Sequence, residues 1–167
     1  MILKSHWMKF SLLLTAFALL SACGFHLRGA SEFPFKKIYV VGSESTPFGA
    51  ALRRNLKGQK NARLVDSEAQ ADVVLQILGE RPEKVILSLT VQGLVREYTL
   101  NSYLTFQVRN SNGKIYLAPT TIVLHRIISY NENVVLSKAA EETMLYNDMQ
   151  SDMVQQVVRR LSVLNME

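Results

Sequence analysis

The chain has 167 residues, 48% of them hydrophobic and 20% charged, with only four prolines and eight glycines. This composition excludes a disordered tail and suits one domain with a hydrophobic core of its own. The formal net charge of +5 at pH 7 is mild. A nucleic-acid-binding protein would carry a denser basic stripe, so no nucleic-acid partner is expected.

A targeting segment opens the sequence. Lys4 and Lys9 precede an apolar run of about ten residues that ends in the small residues Ser21 and Ala22. A basic start, a short apolar run and a small-residue exit are typical of a secretory signal peptide, and the run is too short to span a bilayer. We predict that residues 1–22 are removed. The basic count then falls from 19 to 17 against 14 acidic residues, a net charge of +3.

The only cysteine, Cys23, follows this segment directly. Leu20-Ser21-Ala22-Cys23 resembles the bacterial lipobox, in which the cysteine thiol takes a diacylglycerol group and the cysteine becomes the first mature residue. An unpaired cysteine in an exported protein needs an explanation, and acylation supplies one. We predict that Cys23 carries S-diacylglycerol and N-palmitoyl groups and that residues 23–33 form a lipidated tether. The alternative is an ordinary signal sequence with a chance cysteine.

The first folded elements are expected directly after this tether. Lys36–Val41 is rich in β-branched and aromatic residues and predicts a strand. Thr46 and Pro47 are typical of an N-cap and a first helical position, and apolar residues then recur at helical spacing as far as Gly58. Arg63–Val65 is a possible short strand.

The middle of the chain is rich in β-forming residues. Apolar and polar residues alternate along Glu97–Arg109, which predicts a half-buried strand of an antiparallel sheet. The Asn-Gly pair at the end of Asn110–Gly113 predicts a hairpin turn with positive φ at both central positions. Pro82 predicts an edge, a bulge or a break. Further strands are expected at Val73–Leu78, Lys84–Val91 and Thr121–Tyr130.

A long amphipathic helix closes the sequence, with Ser137 as its expected N-cap. The order of elements predicts an α+β two-layer sandwich, in which two helices pack on one face of a mostly antiparallel four-stranded sheet. We expect a single domain over residues 34–167. Its last helix places these apolar residues on one side: Leu145, Met149, Met153, Val157, Leu161 and Leu164.

No pattern of catalytic or metal-binding residues stands out. Only two histidines follow the signal peptide: His26, three residues after Cys23, and His125, inside a predicted strand beside Arg126. The sequence has no second cysteine for a thiol pair or zinc site, no glycine-rich phosphate loop and no nucleophile elbow. We therefore predict a protein that is not an enzyme and that needs neither a metal nor a cofactor.

Two stretches of the chain resemble LptE, the family of lipopolysaccharide-assembly lipoproteins of Gram-negative outer membranes. The first stretch is Cys23–Gly29, and the second runs from Arg126 through Tyr130-Asn131 and Val135–Lys138 into the last helix. The element order agrees between these landmarks, so the resemblance covers nearly the whole mature chain. It implies a sandwich of two helices on a mostly antiparallel sheet, which sits as a plug inside the large β-barrel LptD.

The resemblance also implies a location and a function. LptE-type proteins are implied to be anchored to the outer membrane on its periplasmic side, to help the barrel fold and to bind lipopolysaccharide on its way to the outer leaflet. Gly24 fits this location, since an aspartate there is the usual signal for retention in the inner membrane. A plug needs no catalytic groups, only a rigid body whose polar outer faces match the polar lumen of a barrel.

One lysine matches the lysine that the family implicates in binding lipopolysaccharide. Lys138 comes just before the predicted final helix, where a lysine and the helix N-terminus could together hold a lipid A phosphate. The alternative is a solvated lysine beside Glu141 and Glu142. The family's companion arginine does not carry over, because Val91 stands at its position. Arg96 and Lys84 are the possible replacements.

Two other functions compete with the plug. The first is a lipid or lipoprotein carrier facing the periplasm, which would need an empty apolar cavity between the sheet and the helices. The second is a small periplasmic hydrolase, which the lack of a triad or metal set disfavours.

Overall fold

The computed structural model describes residues 32–166, so the predicted signal peptide and most of the predicted tether lie outside the described residues. The described elements, in chain order, are β1 (Lys37–Val41), α1 (Pro47–Lys57), β2 (Arg63–Leu64), β3 (Val73–Leu89), β4 (Val95–Arg109), β5 (Ile115–Ser129) and α2 (Val135–Ser162). Two short 3-10 turns, Glu68–Gln70 and Glu132–Val134, precede β3 and α2. The α+β class is as predicted.

The predicted sheet is wrong in strand number and direction. The strands form one five-stranded mixed sheet in the order β2-β1-β3-β4-β5. β1 runs parallel to both β2 and β3, whereas β4 is antiparallel to its two neighbours, β3 and β5. The reason is the crossover through α1, which returns the chain to the end where β1 began, so that β2 must run in the same direction as β1. The possible strand at Arg63–Val65 is this fifth strand.

The helix in this crossover begins and ends as predicted. The Thr46 hydroxyl accepts the backbone N–H of Gly49 at 3.0 Å, Pro47 occupies the first turn, and the helix stops before Gly58. Gly42 makes the turn out of β1 with a φ of 95°, and a Cβ at this position would meet the Ile77 carbonyl oxygen at 2.2 Å. Only glycine fits a backbone that passes so close to β3.

β3 is one strand of 17 residues and not the two strands predicted at Val73–Leu78 and Lys84–Val91. A shift in register between Ile77 and Gly79 marks a bulge, and pairing with β4 resumes beyond it. β1 pairs only with Val73–Gln76, so the rest of β3 is an edge within the described part of the chain. Pro82 lies in this edge half, where a missing backbone N–H costs little. Of the edge, bulge or break that Pro82 predicted, the structure shows an edge.

The predicted hairpin after β4 is confirmed, but its backbone differs from the prediction. Gly113 has a φ of 91°, while Asn112 does not have a positive φ. The side chain of Asn110 organises the turn, because its Oδ1 accepts the N–H groups of Asn112 at 2.9 Å and Lys114 at 2.8 Å. β5 then continues through Pro119 as one strand, with a register shift opposite Gln107 that absorbs the proline.

The final helix begins earlier than predicted. α2 starts at Val135, so Ser137 lies inside its first turn and is not the N-cap. Asn131 caps the preceding 3-10 turn instead, since its Oδ1 accepts the N–H of Asn133 at 2.9 Å. The 28 residues of α2 span about 42 Å, enough to cross the whole sheet. No described helix is long and apolar enough to cross a membrane.

Both helices cover the same face of the sheet, as predicted. The main core joins Phe48, Leu52 and Leu56 of α1 to Met153, Val157 and Leu161 of α2, against inward side chains of β1, β3, β4 and β5. A smaller cluster of Leu100, Ile128 and Met149 extends this core toward the start of α2. The inward residues of β4 are fully buried: Leu100, Leu104, Phe106 and Val108.

Replacing Leu104 by Ala should lower the free energy of unfolding by about 2–5 kcal/mol, because its side chain is wholly buried and the truncation leaves a cavity. Leu136→Ala is the matched control, since 87% of Leu136 is exposed and the change should stay within about 0.5 kcal/mol. Urea unfolding followed by circular dichroism measures both. Equal losses in the two variants would contradict this core assignment.

Candidate functional site

Lys138 and one of its two possible companions line the same small pocket. We call this the lysine pocket. It has a volume of about 70 Å³ and lies between β3, the ends of β4 and β5, and the first turn of α2. Lys84 reaches it from β3, and Lys138 reaches it from α2. The pocket is lined by Lys84, Tyr98, Ile128, Ser129, Tyr130, Val135, Lys138, Ala139 and Glu142.

Each lysine of the pocket is paired with a different glutamate of α2. Lys84 Nζ lies 2.5 Å from Glu142 Oε2, and Lys138 Nζ lies 2.8 Å from Glu141 Oε2. Lys138 also donates to the Ser129 hydroxyl at 2.9 Å. All four charged side chains keep some solvent exposure, between 20% and 48%. Solvated pairs of this kind contribute about 0–1 kcal/mol each, so a ligand phosphate could exchange for either glutamate at small cost.

Two tyrosines hold the lysine of β3 in place. The ammonium of Lys84 lies 4.3 Å from the centre of the Tyr98 ring, a cation–π contact. Tyr130 packs edge-on against Tyr98 at 5.5 Å between ring centroids. The ring of Tyr98 therefore has one face toward the cation and an edge contact that fixes its orientation.

The start of α2 adds backbone donors beside the pocket. Val134 precedes the helix, and no side-chain hydrogen bond is present at this N-cap. The N-terminal amides and the positive end of the helix dipole favour an anion at this position.

The position of the family's companion arginine and its two possible replacements lie in different places in the structure. Val91 lies on the turn between β3 and β4 and is 99% exposed. Arg96 is exposed, and its backbone carbonyl accepts the N–H of Tyr130 at 2.8 Å, but its side chain does not line the pocket. Lys84 does line it. The turn itself is surrounded by exposed apolar side chains: Val85, Ile86, Leu87, Leu89, Val91 and Leu94.

An open apolar groove runs along the edge half of β3 and ends at the lysine pocket. It has a volume of about 650 Å³, and it lies between the start of α1, residues 80–84 of β3 and the middle of α2. Phe48, Leu104 and Met153 supply apolar surface, and Lys84 lines both this groove and the pocket. β1 ends opposite Gln76, so no described strand continues along the outer edge of β3 where the groove opens.

Two titratable groups of the groove respond to burial. Desolvation raises the pKa of the Glu80 carboxyl above its ordinary value, and the hydrogen bond from the Thr46 hydroxyl at 2.8 Å opposes part of that rise. Desolvation and the neighbouring Glu142 carboxylate raise the pKa of the Tyr146 hydroxyl, whereas Lys84 lowers it. The Tyr146 hydroxyl donates to the Glu83 carbonyl at 3.0 Å and so ties α2 to the edge of β3.

The uncovered face of the sheet is largely polar and linked by hydrogen bonds. Gln107 donates to Gln76 at 2.8 Å, and the hydroxyls of Thr105 and Thr121 lie 2.9 Å apart. Nearby, the Glu83 carboxylate accepts from Asn101 and Tyr103, and Arg81 stacks over the Tyr103 ring at 4.3 Å. Exposed Val123 and Ile127 interrupt this polar surface on β5.

The described residues contain no grouping for metal binding. Within residues 32–166, no three histidine, cysteine, aspartate or glutamate side chains come together as ligands. His125 is exposed on β5, while His26 and Cys23 lie outside the described residues, so the predicted acylation is untested there.

This fold is an α+β sandwich that carries a basic pocket at the end of an apolar groove. A family model described as "LptE: Lipopolysaccharide-assembly" matches residues 35–161 of the chain. The protein belongs to the LptE family. This family is not enzymatic, which confirms the prediction that the chain is not an enzyme.

Curated relatives and solved structures agree with this membership. The chain is 30% identical to the LPS-assembly lipoprotein LptE of Pectobacterium atrosepticum, over 93% of this chain and 86% of that relative. It is also 30% identical to the LPS-assembly lipoprotein LptE of Yersinia enterocolitica, over 87% of this chain and 70% of the relative.

The solved structures cover similar shares of the chain. The solution structure of lipoprotein B from Nitrosomonas europaea matches with a TM-score of 0.73 and 36% identity, over 83% of this chain and 90% of that one. Rare lipoprotein B from Shewanella oneidensis has the same fold, with a TM-score of 0.67 at 23% identity, over 76% of this chain and 94% of that one.

Sequence reasoning missed the contact between Glu142 and Lys84 and missed the groove. Glu142 was expected only as a neighbour of Lys138, whereas it pairs with Lys84 across 58 positions of sequence. Such a contact depends on how α2 lies across the sheet, which no local pattern specifies. The available signal for the groove was Pro82, which marks the part of β3 that has no strand on its outer side.

Glu80→Gln should make the folded state more stable than the wild type at neutral pH and leave it nearly unchanged at acidic pH. The pKa of Glu80 is raised in the folded state. The contribution of the Glu80 side chain to the free energy of unfolding is therefore complete below its unfolded pKa and is lost as pH rises through its folded pKa, whereas Gln stays uncharged at every pH. Urea unfolding midpoints at a series of pH values, from about pH 4 to about pH 7, measure the difference.

Glu44→Gln provides a control of opposite sign. The Gly42 N–H and Arg53 lower the pKa of Glu44, so the wild type gains stability above the unfolded pKa and loses it as pH falls. The Glu44 variant should therefore fall behind the wild type as pH rises. The same pH trend in both variants would contradict the burial of Glu80.

Proposed function

We propose that this protein is the outer-membrane lipoprotein of a lipopolysaccharide translocon. Anchored through acylated Cys23 on the periplasmic side, it plugs the LptD β-barrel, helps that barrel assemble and assists the insertion of lipopolysaccharide into the outer leaflet. The observation that carries the proposal is membership of the lipopolysaccharide-assembly family over residues 35–161, which is nearly the whole of the described domain. The names of its relatives, LPS-assembly lipoproteins, agree with it.

The uncovered face of the sheet supports the role of a plug. A barrel lumen is polar, and a body that fills it must offer polar groups that are already held in place. Paired side chains such as Gln107–Gln76 and Thr105–Thr121 supply such a surface on strands that a packed core keeps rigid. A ready-made surface costs little conformational entropy when it binds.

The lysine pocket supports direct binding of lipopolysaccharide through a lipid A phosphate. Lys84 and Lys138 offer two ammonium groups in one pocket beside the first amides of α2. A phosphate that binds both lysines replaces the solvated contacts to Glu141 and Glu142 with charge-assisted hydrogen bonds. In this proposal Lys84 performs the role of the family's companion arginine. This chain has Val91 at the position of that arginine.

A second candidate function rests on the apolar groove. A carrier that holds an acyl chain needs apolar space between the sheet and the helices, and the groove of about 650 Å³ is such a space. It opens to solvent along the edge of β3, so it would hold a chain against a wall and not enclose it. Because Lys84 lines both groove and pocket, one bound lipid could place its acyl chain and its phosphate in the two features together.

Affinity purification of the detergent-solubilised protein should recover a large β-barrel protein in near-equal amount, since a plug has a fixed stoichiometry with its barrel. Mass spectrometry of the purified material identifies that protein. Recovery without a barrel would contradict the plug.

Cys23→Ala should abolish metabolic labelling with palmitate, and a variant that retained the label would contradict acylation at Cys23.

Lys138→Asp should weaken lipopolysaccharide binding about tenfold or more while the complex with the barrel survives, because the change reverses one of the two charges in the lysine pocket. Lys84→Asp should act in the same direction. Binding of purified variants to labelled lipopolysaccharide, measured at fixed salt, gives the ratio.

Two control variants make this measurement specific. Arg54→Asp changes the charge by the same amount on the exposed side of α1 and should leave binding almost unchanged. Arg96→Asp should also have little effect, since Arg96 does not line the pocket. If Arg96 matters and Lys84 does not, then Arg96 is the functional companion of Lys138.

A further inference from the structure

A second basic feature lies at the end of the sheet opposite to the lysine pocket. We call it the basic patch, and all of its side chains are exposed. Most of them surround a groove of about 650 Å³ between the end of α1 and the strands β1 and β2, and this groove has no acidic side chain in its lining. The patch consists of Lys36, Lys37, Lys57, Lys60 and Arg63.

The crossover between β1 and β2 brings these residues together. Lys36 and Lys37 stand where β1 begins, and Arg63 begins β2, which is paired with β1. Since β2 is parallel to β1, α1 must return the chain to this same end, where Lys57 and Lys60 then lie. The Arg63 N–H donates to the Lys36 carbonyl at 2.7 Å, which fixes the two sides of the patch.

The five cations have no ion-pair partner among the described residues. The Asp72 carboxylate lies close by, but its Oδ2 accepts the backbone N–H groups of Lys36 at 3.0 Å and Lys37 at 2.8 Å. Asp66 lines the neighbouring groove with Lys37 and Arg63 but forms no salt bridge with them. Five of the 17 basic residues after the signal peptide are in this patch.

The patch lies beside the point where the predicted tether enters the domain. Phe35 is 3% exposed and is part of the main core, and the Phe33 ring stacks on it at 5.0 Å between centroids. The chain is therefore fixed at Phe33, three residues before Lys36. Phe33 follows Cys23 by ten positions, so a fully extended chain would separate them by at most about 35 Å.

From this geometry we propose that the basic patch binds anionic phospholipid headgroups at the surface of the membrane that holds the lipid on Cys23. The inference rests on the proposed acylation of Cys23, since the short tether is what keeps this end of the domain close to a bilayer. Phosphodiester groups are the acceptors that lysine and arginine bind, and each basic side chain near an anionic bilayer adds attraction. The acyl anchor and the patch then act as two signals that together orient the domain.

The patch differs in kind from the lysine pocket. In the pocket each lysine has a glutamate within 2.8 Å, so a ligand must exchange for an existing partner. In the patch no exchange is needed, and a dispersed set of exposed cations around an open groove suits many mobile headgroups better than one tightly held ligand. Such binding is electrostatic and should weaken as salt increases.

Lysine acetylation of the acylated mature protein, placed in vesicles and followed by mass spectrometry, tests the proposal. The vesicles contain phosphatidylcholine alone or phosphatidylcholine with phosphatidylglycerol. Lys57 and Lys60 should react at least about threefold more slowly in the anionic vesicles, and high salt should remove the difference. Lys84, at the other end of the sheet, should react equally in both.

Paired variants separate the patch from general charge effects. The double variant Lys57→Glu, Lys60→Glu should abolish the slower reaction of Lys36 and Lys37 in anionic vesicles. A control with the same change in charge, Arg81→Glu with Arg96→Glu, should retain it. Circular dichroism confirms that both variants fold.

Three results would overturn the proposal. The first is equal reactivity of the patch in both kinds of vesicle, and the second is equal loss of protection in both double variants. The third is protection that appears only in the purified complex with a partner protein, which would assign the patch to an acidic protein surface. Failure of the anchor is seen separately, because the mass of the peptide that contains Cys23 reports acylation directly.

Discussion

The short pairing between β1 and β3 determines where the apolar groove of this domain lies. β1 covers only Val73–Gln76, so the second half of β3 has β4 on one side and, among the described strands, none on the other. The apolar groove follows from that gap. The same gap leaves Lys84 accessible from the groove and from the lysine pocket. Only a β1 that continued beside residues 77–84 of β3 would cover this edge as far as Lys84.

Local patterns predicted the elements that local chemistry controls. The Thr46 cap with Pro47, the alternating strand at Glu97–Arg109 and the buried stripe of α2 are each set by neighbours in sequence, and each is found. Ser137 failed as an N-cap because Asn131 starts a 3-10 turn that leads into the helix earlier. The prediction of a mostly antiparallel four-stranded sheet failed for a different reason. The fifth strand, Arg63–Leu64, is too short to carry a pattern, and local sequence does not specify which edge of the sheet it joins.

The candidate site was predicted only in part, because its residues come from distant positions. The family resemblance pointed to Lys138 and left Lys84 and Arg96 as alternatives, and only the packing of α2 across β3 and β4 distinguishes them. Both glutamates of α2 were visible in the sequence, but the partner of Glu142 was not. Charge order along a helix predicts contacts three or four residues apart, as for Lys138 and Glu141, and does not predict the contact between Glu142 and Lys84.

The arrangement of charge gives the domain a direction. At the end where the chain enters, the five cations of the basic patch form no salt bridge within residues 32–166, so that end attracts any anionic surface without rearrangement. At the other end the cations are held by glutamates, so binding there depends on a ligand that outcompetes a carboxylate and also suits the exposed apolar residues around Val91. A phospholipid surface suits the basic patch, and a phosphorylated lipid with several acyl chains suits the lysine pocket. In the proposed function the protein faces one membrane surface while it hands on a different lipid. Equal affinity at both ends would then let bulk phospholipid compete for the proposed lipopolysaccharide site.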